Sequence, residues 1–207
     1  ENDRIIGGLG VEAGELNREL YASFCNGELL VTDARTAEMA KLTENAFRDV
    51  NIAFANELSL ICDKLGIDVW ELIALANHHP RVNILQPGPG VGGHCIAVDP
   101  WFIVAADPEN SKLIHTARKV NDGKPKWVIE KVKEAIAETN ATKVAVLGLA
   151  FKADIDDLRE SPALNIAVDI TEELQDIQFL VAEPNVNELP KRLKGFDNAE
   201  LKNYEEA

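Results

Sequence analysis

The sequence predicts an α/β protein with a central all-α region, a long helix leading into a partial parallel sheet. Two stretches carry that reading. Across residues 35–65, Phe47, Val50, Phe54, Leu58, Ile61 and Leu65 recur at the three-to-four spacing of one helical stripe. Across residues 143–182, a β-rich run ending in Gly148 is followed by a polar loop, a helix and a second β-rich run. Strand, loop, helix, strand is how a parallel sheet opens.

Each element has a local justification. Residues 12–24 have a short helical pattern and residues 28–32 read as one strand, too little for a domain, so the chain is expected to be cut short at this end. Gly66 is placed to close the long helix as its C′ residue. The apolar stripe is expected to be buried, with a second subunit packed along the helix. A different face stacks Lys41, Asn45 and Arg48 at i, i+4 and i+7, which in most helices is a solvated face. Asp68 and Glu71 form an Asp-x-x-Glu capping box for a helix that runs to Asn77 or His78 before Pro80 stops it. Two helices follow Pro100, over 111–121 and 125–138, and Ser161-Pro162 supplies N-cap and N1 for another to about Glu173. Two strands do not complete a sheet, so truncation is expected here as well. The expected divisions are 1–33, 34–140 and 141–207.

Composition narrows the function classes. A hydrophobic content of 46% fits a globular core, and no run approaches the ~18 apolar residues of a membrane span. The opening residues do not have a signal-peptide pattern, and no secretion is expected. A net charge of −14 argues against broad binding to nucleic acid or anionic membranes, so an anionic ligand needs a local basic cluster. Cys25, Cys62 and Cys95 have no CxxC spacing and an odd count, which fits a reducing cytoplasm. His78, His79 and His94 match no usual zinc spacing, and no metal is expected.

The stretch 81–100 carries the chemistry. Four glycines and two prolines fall within 87–93, followed at once by His94 and Cys95 and then by Asp99. Proline fixes φ and glycine frees it, so this segment follows a defined, tightly turned path that something can approach closely. A cysteine presented there, with a carboxylate four residues on, is a candidate nucleophile beside a candidate base. The alternative is a small apolar cysteine buried in a turn. Gly88, Gly90 and Gly93 satisfy G-x-G-x-x-G, but no strand pattern precedes them and Asp99-Pro100 interrupts any following helix. They are not read as a dinucleotide fingerprint.

Three long motifs add a resemblance. Pro-Gly-x-Gly-x-Gly-Gly-His-Cys-Ile-x-x-Asp-Pro occupies 87–100, and Glu38-x-x-Lys41-x-x-x-Asn45 precedes Asn56-Glu57 on the long helix. Gly-Leu-Ala-Phe-Lys-x-Asp-x-Asp-Asp-Leu-Arg-Glu-Ser-Pro occupies 148–162. With these in one order over nearly its whole length, the chain resembles the UDP-glucose/GDP-mannose dehydrogenase family. The stretches 35–39, 42–59, 79–86 and 97–102 are most similar to the branch acting on UDP-N-acetyl-D-mannosamine. The resemblance implies an NAD-dependent oxidation of a nucleotide-sugar primary alcohol to a carboxylate, in two steps through a covalent cysteine. It implies a tail of an N-terminal Rossmann domain over 1–33, a central helical dimerisation domain over 34–140 and a truncated Rossmann-like, sugar-nucleotide domain over 141–207.

Residue by residue, the resemblance makes Cys95 the nucleophile that holds the aldehyde as a thiohemiacetal and then as a thioester. Lys41 would steady the developing oxyanion, Asn45 would bond the same oxygen or the hydrolytic water, and Asp99 would act as base or orient that water. Arg48, His79, Arg81, Gly92, Phe151 and Lys152 would form the substrate surface, with Arg81 able to reach across a homodimer built on the 35–65 helix. Arg159 would touch NAD. The family's N-terminal fingerprint and last C-terminal strands have no counterpart here. The competing reading is a non-catalytic helical dimer or binding module that keeps the motifs.

Overall fold

A single helix, α2 (Ala34–Leu65), runs through the middle of the molecule, and local chemistry sets both its ends. In this computed structural model, which describes residues 2–152 and 155–207, Asp33 caps it by accepting from Thr36 N at 3.0 Å and from the Thr36 hydroxyl at 2.6 Å. Gly66 closes it in the left-handed region, φ 68° and ψ 33°. Before it, β1 (Arg4–Gly8), α1 (Val11–Ala22) and β2 (Leu29–Asp33) form a strand–helix–strand unit, with β1 and β2 parallel. β1 is not foreseen from sequence, because Arg-Ile-Ile-Gly-Gly is a weak strand former until β2 lies beside it.

After α2 come α3 (Val69–Ala76), α4 (Asp99–Ala106) and α5 (Lys112–Thr139). Asp68 caps α3 through Trp70 N and Glu71 N, at 2.8 and 3.2 Å, as its sequence pattern predicts. Asp99-Pro100 does not interrupt a helix but begins one, since Pro100 occupies the first turn, where its missing N–H loses no bond. α5 is one helix where two are expected. Pro125 lies inside it, with Arg118, Asn121 and Lys124 buried before it and Ile129 after it. Lys131, on the same helix, pairs with Asp63 of α2 at 2.9 Å.

The apolar stripe on α2 is not covered within this chain. Phe47 is 69% exposed and Phe54 51%, and Ile61 and Leu65 are exposed too, so this chain does not bury them. The buried face instead carries Asn45, Ala46, Asp49, Ala53, Asn56, Ser59 and Cys62. Small and amide side chains belong there because α5 brings Arg118, Asn121 and Lys124 against it, and buried polar groups require partners.

The C-terminal part is a three-stranded parallel sheet of order β3-β4-β5, from β3 (Lys143–Leu147), β4 (Gln178–Ala182) and β5 (Ala199–Leu201). It supplies one strand beyond the two expected. α6 (Pro162–Glu173) crosses between β3 and β4, with Ser161 as N-cap and Pro162 in its first turn. Leu149, Leu164, Ala167, Val168, Val181 and Leu193 form its core, and Ile129, Ile166, Ile170 and Phe179 join it to α5. Asn198 closes the end of α6, donating to the carbonyls of Thr171, Leu174 and Ile177 at 3.1, 3.2 and 3.1 Å. No helix of the described residues is long and apolar enough to cross a membrane.

Candidate functional site

The segment from Val82 to Val98 belongs to no helix or strand, so its path is set by what touches it. Asn77 holds Ile84 by two bonds, donating to its carbonyl at 3.0 Å and accepting from its N–H at 2.7 Å. Gly88 N donates to Asn56 Oδ1 at 2.8 Å, and Gly93 N to the Glu160 carbonyl at 3.4 Å. A Cβ at Gly92 would lie 2.6 Å from Glu160 O and 2.7 Å from both Phe151 Cβ and Pro162 Cδ, so only glycine fits. Gly93 has φ 82° and lies against the Phe151 ring. Phe151 and the turn at Glu160, itself at φ 50°, thus press the C-terminal sheet unit onto the glycine-rich run.

Cys95 is exposed, which excludes the buried-turn alternative. Its carbonyl accepts from Val98 N at 3.1 Å and Asp99 N at 2.8 Å, so Cys95 heads the helical turn that runs into α4. Asp99, first residue of α4, accepts from Asn45 Nδ2 of α2 at 2.5 Å. Asn45, distant in sequence, therefore meets Asp99, which lies one helical turn after Cys95.

The other candidates are spread around it. Lys41 lies one turn before Asn45, exposed, with Nζ 3.1 Å from Glu44. Arg48 is exposed on the same helix. His79 and Arg81 share the exposed turn beyond α3, where Arg81 N donates to His79 Nδ1 at 3.3 Å. Lys152 lines a cleft of about 370 Å³ with Glu183, Asn185 and Tyr204. Arg159 grips Asp157 bidentately at 2.9 and 2.8 Å and holds that carboxyl well below the usual carboxylate range. Among the described residues, no hydrogen bond or ion pair joins Lys41, Arg48, Arg81, Lys152 or Arg159 to Cys95 or Asp99. Asp154, part of the 148–162 motif, and Ala153 lie outside the described residues.

Behind the glycine-rich run is a buried polar network that sequence reasoning does not find. Arg118, only 1% exposed, bonds both Asp49 and Asp122. Burial pushes the Asp49 carboxyl up, and Arg118 and Asn121 oppose that push. Asn121 Nδ2 donates to Asp49 O and Oδ1 at 3.0 and 2.8 Å, while Asn121 Oδ1 accepts from Asn56 Nδ2 at 2.9 Å. Lys124 donates to the Ser59 hydroxyl and lies 3.9 Å above the centroid of the Trp127 ring. Glu183 follows β4, and its carboxylate accepts from Leu149 N and Ala150 N at 2.8 and 3.1 Å, fixing the loop that carries Phe151. The only sequence signal for any of these is Asn56-Glu57, which enters the motif without a role.

The described residues do not make a dinucleotide cradle. No strand leads into Gly88, and no helix begins between Gly93 and Asp99. The β1–α1–β2 unit has the right connectivity, but Gly8 and Gly14 serve to seat α1 on the strands. Glu12 puts a negative charge in the first turn of α1, and Asp33 at the end of β2 caps α2. Among the described residues, no group of three His, Cys, Asp or Glu is arranged to hold a metal ion.

Comparison with known proteins agrees with the motifs. Residues 35–123 match the central domain of the UDP-glucose/GDP-mannose dehydrogenase family, and residues 145–207 match that family's UDP binding domain. A UDP-N-acetyl-D-mannosamine dehydrogenase of Campylobacter jejuni is 61% identical over 201 residues, covering 97% of this chain and 49% of the relative. An NDP-N-acetyl-D-galactosaminuronic acid dehydrogenase of Ralstonia nicotianae is 61% identical over 202 residues, covering 97% and 48%. The solved structure of a UDP-N-acetyl-mannosamine dehydrogenase from S. aureus superposes with a TM-score of 0.82 at 50% identity, covering 97% of this chain and 46% of that one. The chain spans about half the length of the curated relatives it matches.

Proposed function

Because the chain belongs to the UDP-glucose/GDP-mannose dehydrogenase family, we propose that it is part of an NAD-dependent nucleotide-sugar 6-dehydrogenase. Its substrate would be UDP-N-acetylmannosamine or a related UDP-sugar, oxidised to the uronate. The carrying observation is the exposed Cys95 at the head of a turn whose Asp99 is hydrogen-bonded to Asn45. NAD would accept the hydrides, and its cradle would lie in a part of the protein outside this chain, with Arg159 at its edge.

The chain's own residues divide the remaining work. Cys95 Sγ would bond the aldehyde carbon, keeping the reactive intermediate on the protein between the two oxidations, and a water would later release the acid from the thioester. Asn45 and Asp99, already joined, would orient that water, with Asp99 taking its proton. Lys41 would turn from Glu44 toward the substrate oxygen and stabilise negative charge there. Arg48, His79, Arg81 and Lys152 would supply the local basic surface that a chain of net charge −14 needs for a nucleotide diphosphate. Phe151 and Gly92 would shape the wall beside the sugar. Residues 1–33 would be the tail of a Rossmann domain, 34–140 the central domain and 141–207 the nucleotide-sugar domain. The exposed α2 stripe would be covered by a second copy, and a reducing cytoplasm would keep Cys95 a thiol.

The test is to supply the full-length protein and NAD with a panel of nucleotide sugars. The expected result is two NADH per UDP-N-acetylmannosamine, with net turnover lost in Cys95→Ser. No NADH with any member of the panel would overturn the reading.

A further inference from the structure

We propose that Asn56 is a positioning residue for Cys95: its side-chain oxygen, held in place by Asn121, pins Gly88 and so aims the segment that presents the thiol. The inference rests on reading Cys95 as the nucleophile. Gly88 lies between Pro87 and Pro89, which have no N–H, so Gly88 N is the single backbone donor of that tripeptide. Asn56 Oδ1 accepts it at 2.8 Å. Two prolines leave little torsional freedom on either side, so fixing Gly88 fixes the direction in which the chain departs toward Gly93 and Cys95. Gly93 N meets Glu160 O at the far end, and the run between is suspended from those two points.

The direction of the Asn56 amide is itself determined. Asn121 commits its NH₂ to two oxygens of Asp49, so it presents Oδ1 to Asn56. Asn56 must then present its NH₂ to Asn121, which leaves Oδ1 facing Gly88. Asp49 is fixed in turn by Arg118. The charged groups of this network are Asp49 on α2 and Arg118, Asp122 and Lys124 on α5. Asn56 is fully buried, so no water replaces its bond to Gly88.

The experiment uses the full-length protein. Each variant is measured for melting temperature, kcat and KM, and for the iodoacetamide alkylation rate of Cys95, read by peptide mass spectrometry. Asn56→Ala is expected to lower kcat about tenfold, with a smaller change in KM, and to change the Cys95 alkylation rate at least about threefold under conditions where the protein is folded. Asn198→Ala removes a comparably bonded amide from the C-terminal unit; it should lower the melting temperature while leaving Cys95 alkylation at the parental rate. Asn56→Asp keeps an oxygen for Gly88 N but loses the donor to Asn121. Its alkylation rate should return to the parental value although its melting temperature stays low. Parental alkylation in folded Asn56→Ala, or an equal change in Asn198→Ala, overturns the assignment. If Asn56→Ala does not fold, Asn56→Asp decides: parental alkylation with lowered stability supports the assignment, and altered alkylation sinks it. Should the parent oxidise no nucleotide sugar, the alkylation arm still judges this inference, so the two failures are distinguishable.

Discussion

Replacing Lys124 by methionine should remove a pH dependence from the stability of this chain. Lys124 is 5% exposed and lines a cleft of about 660 Å³ together with Cys62, Ile67, Trp70, Pro87 and Trp127. Burial pushes its ammonium down from 10.5 to about 8, with Asp63 pulling weakly the other way. The folded pKa lies below the unfolded one, so between those values the unfolded chain binds the proton more tightly. The stability this group contributes is therefore present above about 10.5 and lost as pH falls through about 8. At about 1.36 kcal/mol per pH unit the full effect is about 3 kcal/mol, of which about 2 kcal/mol falls between pH 7 and pH 10. Methionine keeps the contact with Trp127 without a charge. The cation–π contact with Trp127 exists only for the ammonium, fades over the same pH window and works against the gain, whereas the bond to Ser59 can be kept by the neutral amine and drops out of the comparison. Urea titrations at pH 7, 8, 9 and 10, at one protein concentration and followed by tryptophan fluorescence, should show the parent gaining about 2 kcal/mol on Lys124→Met as pH rises. A flat difference would mean that the ammonium stays hydrated and that the cleft does not desolvate it.

Three further outcomes follow, two from the glycine-rich run and one from α2. Gly92→Ala drives a Cβ to 2.6 Å from the Glu160 carbonyl, a backbone atom that cannot easily yield, and should destabilise by about 2 kcal/mol in thermal melts. Gly88→Ala meets nothing nearer than Gly90 O at 3.8 Å and should stay within about 0.5 kcal/mol of the parent. The exposed face of α2 predicts self-association: sedimentation should find a dimer at micromolar concentration, and Phe54→Lys with Ile61→Lys should shift it to monomer. A parental chain that sediments as a monomer would refute the dimer.

The parts legible in the sequence are those whose cause is local. Gly66 ends α2, Asp68 caps α3 and Ser161-Pro162 opens α6, because caps act on neighbouring backbone groups. The prolines and glycines of 87–93 make the turned character of that run legible, whereas the sequence leaves the exposure of Cys95 open and its contacts come from Asn56, Glu160 and Phe151. What is not legible depends on a partner distant in the chain. β1 needs β2, the unbroken α5 needs α2, and α4 uses the proline that its sequence suggests as a breaker. The stripe on α2 marks an apolar face that this chain leaves exposed, and only the position of α5 shows that the opposite, polar face is the one buried within the chain.

That inversion accounts for the shape of the site. Had α2 turned Phe47, Phe54 and Ile61 toward α5, its inner face would carry no amide with which to hold a loop. By burying Asn45, Asp49 and Asn56 instead, it supplies Asn45 to Asp99 and Asn56 to Gly88, one contact on each side of Cys95. Buried amides are unfavourable unless every donor and acceptor is matched. Asn121 and Arg118 of α5 provide that match, except that Asp49 Oδ2 and Arg118 Nε keep no partner among the described residues. Stability alone would favour an apolar core in their place. The polar inner face of a helix whose apolar face is exposed thus makes two contacts to the cysteine segment, Asn45 to Asp99 and Asn56 to Gly88, and α2 frames the candidate site from within the chain.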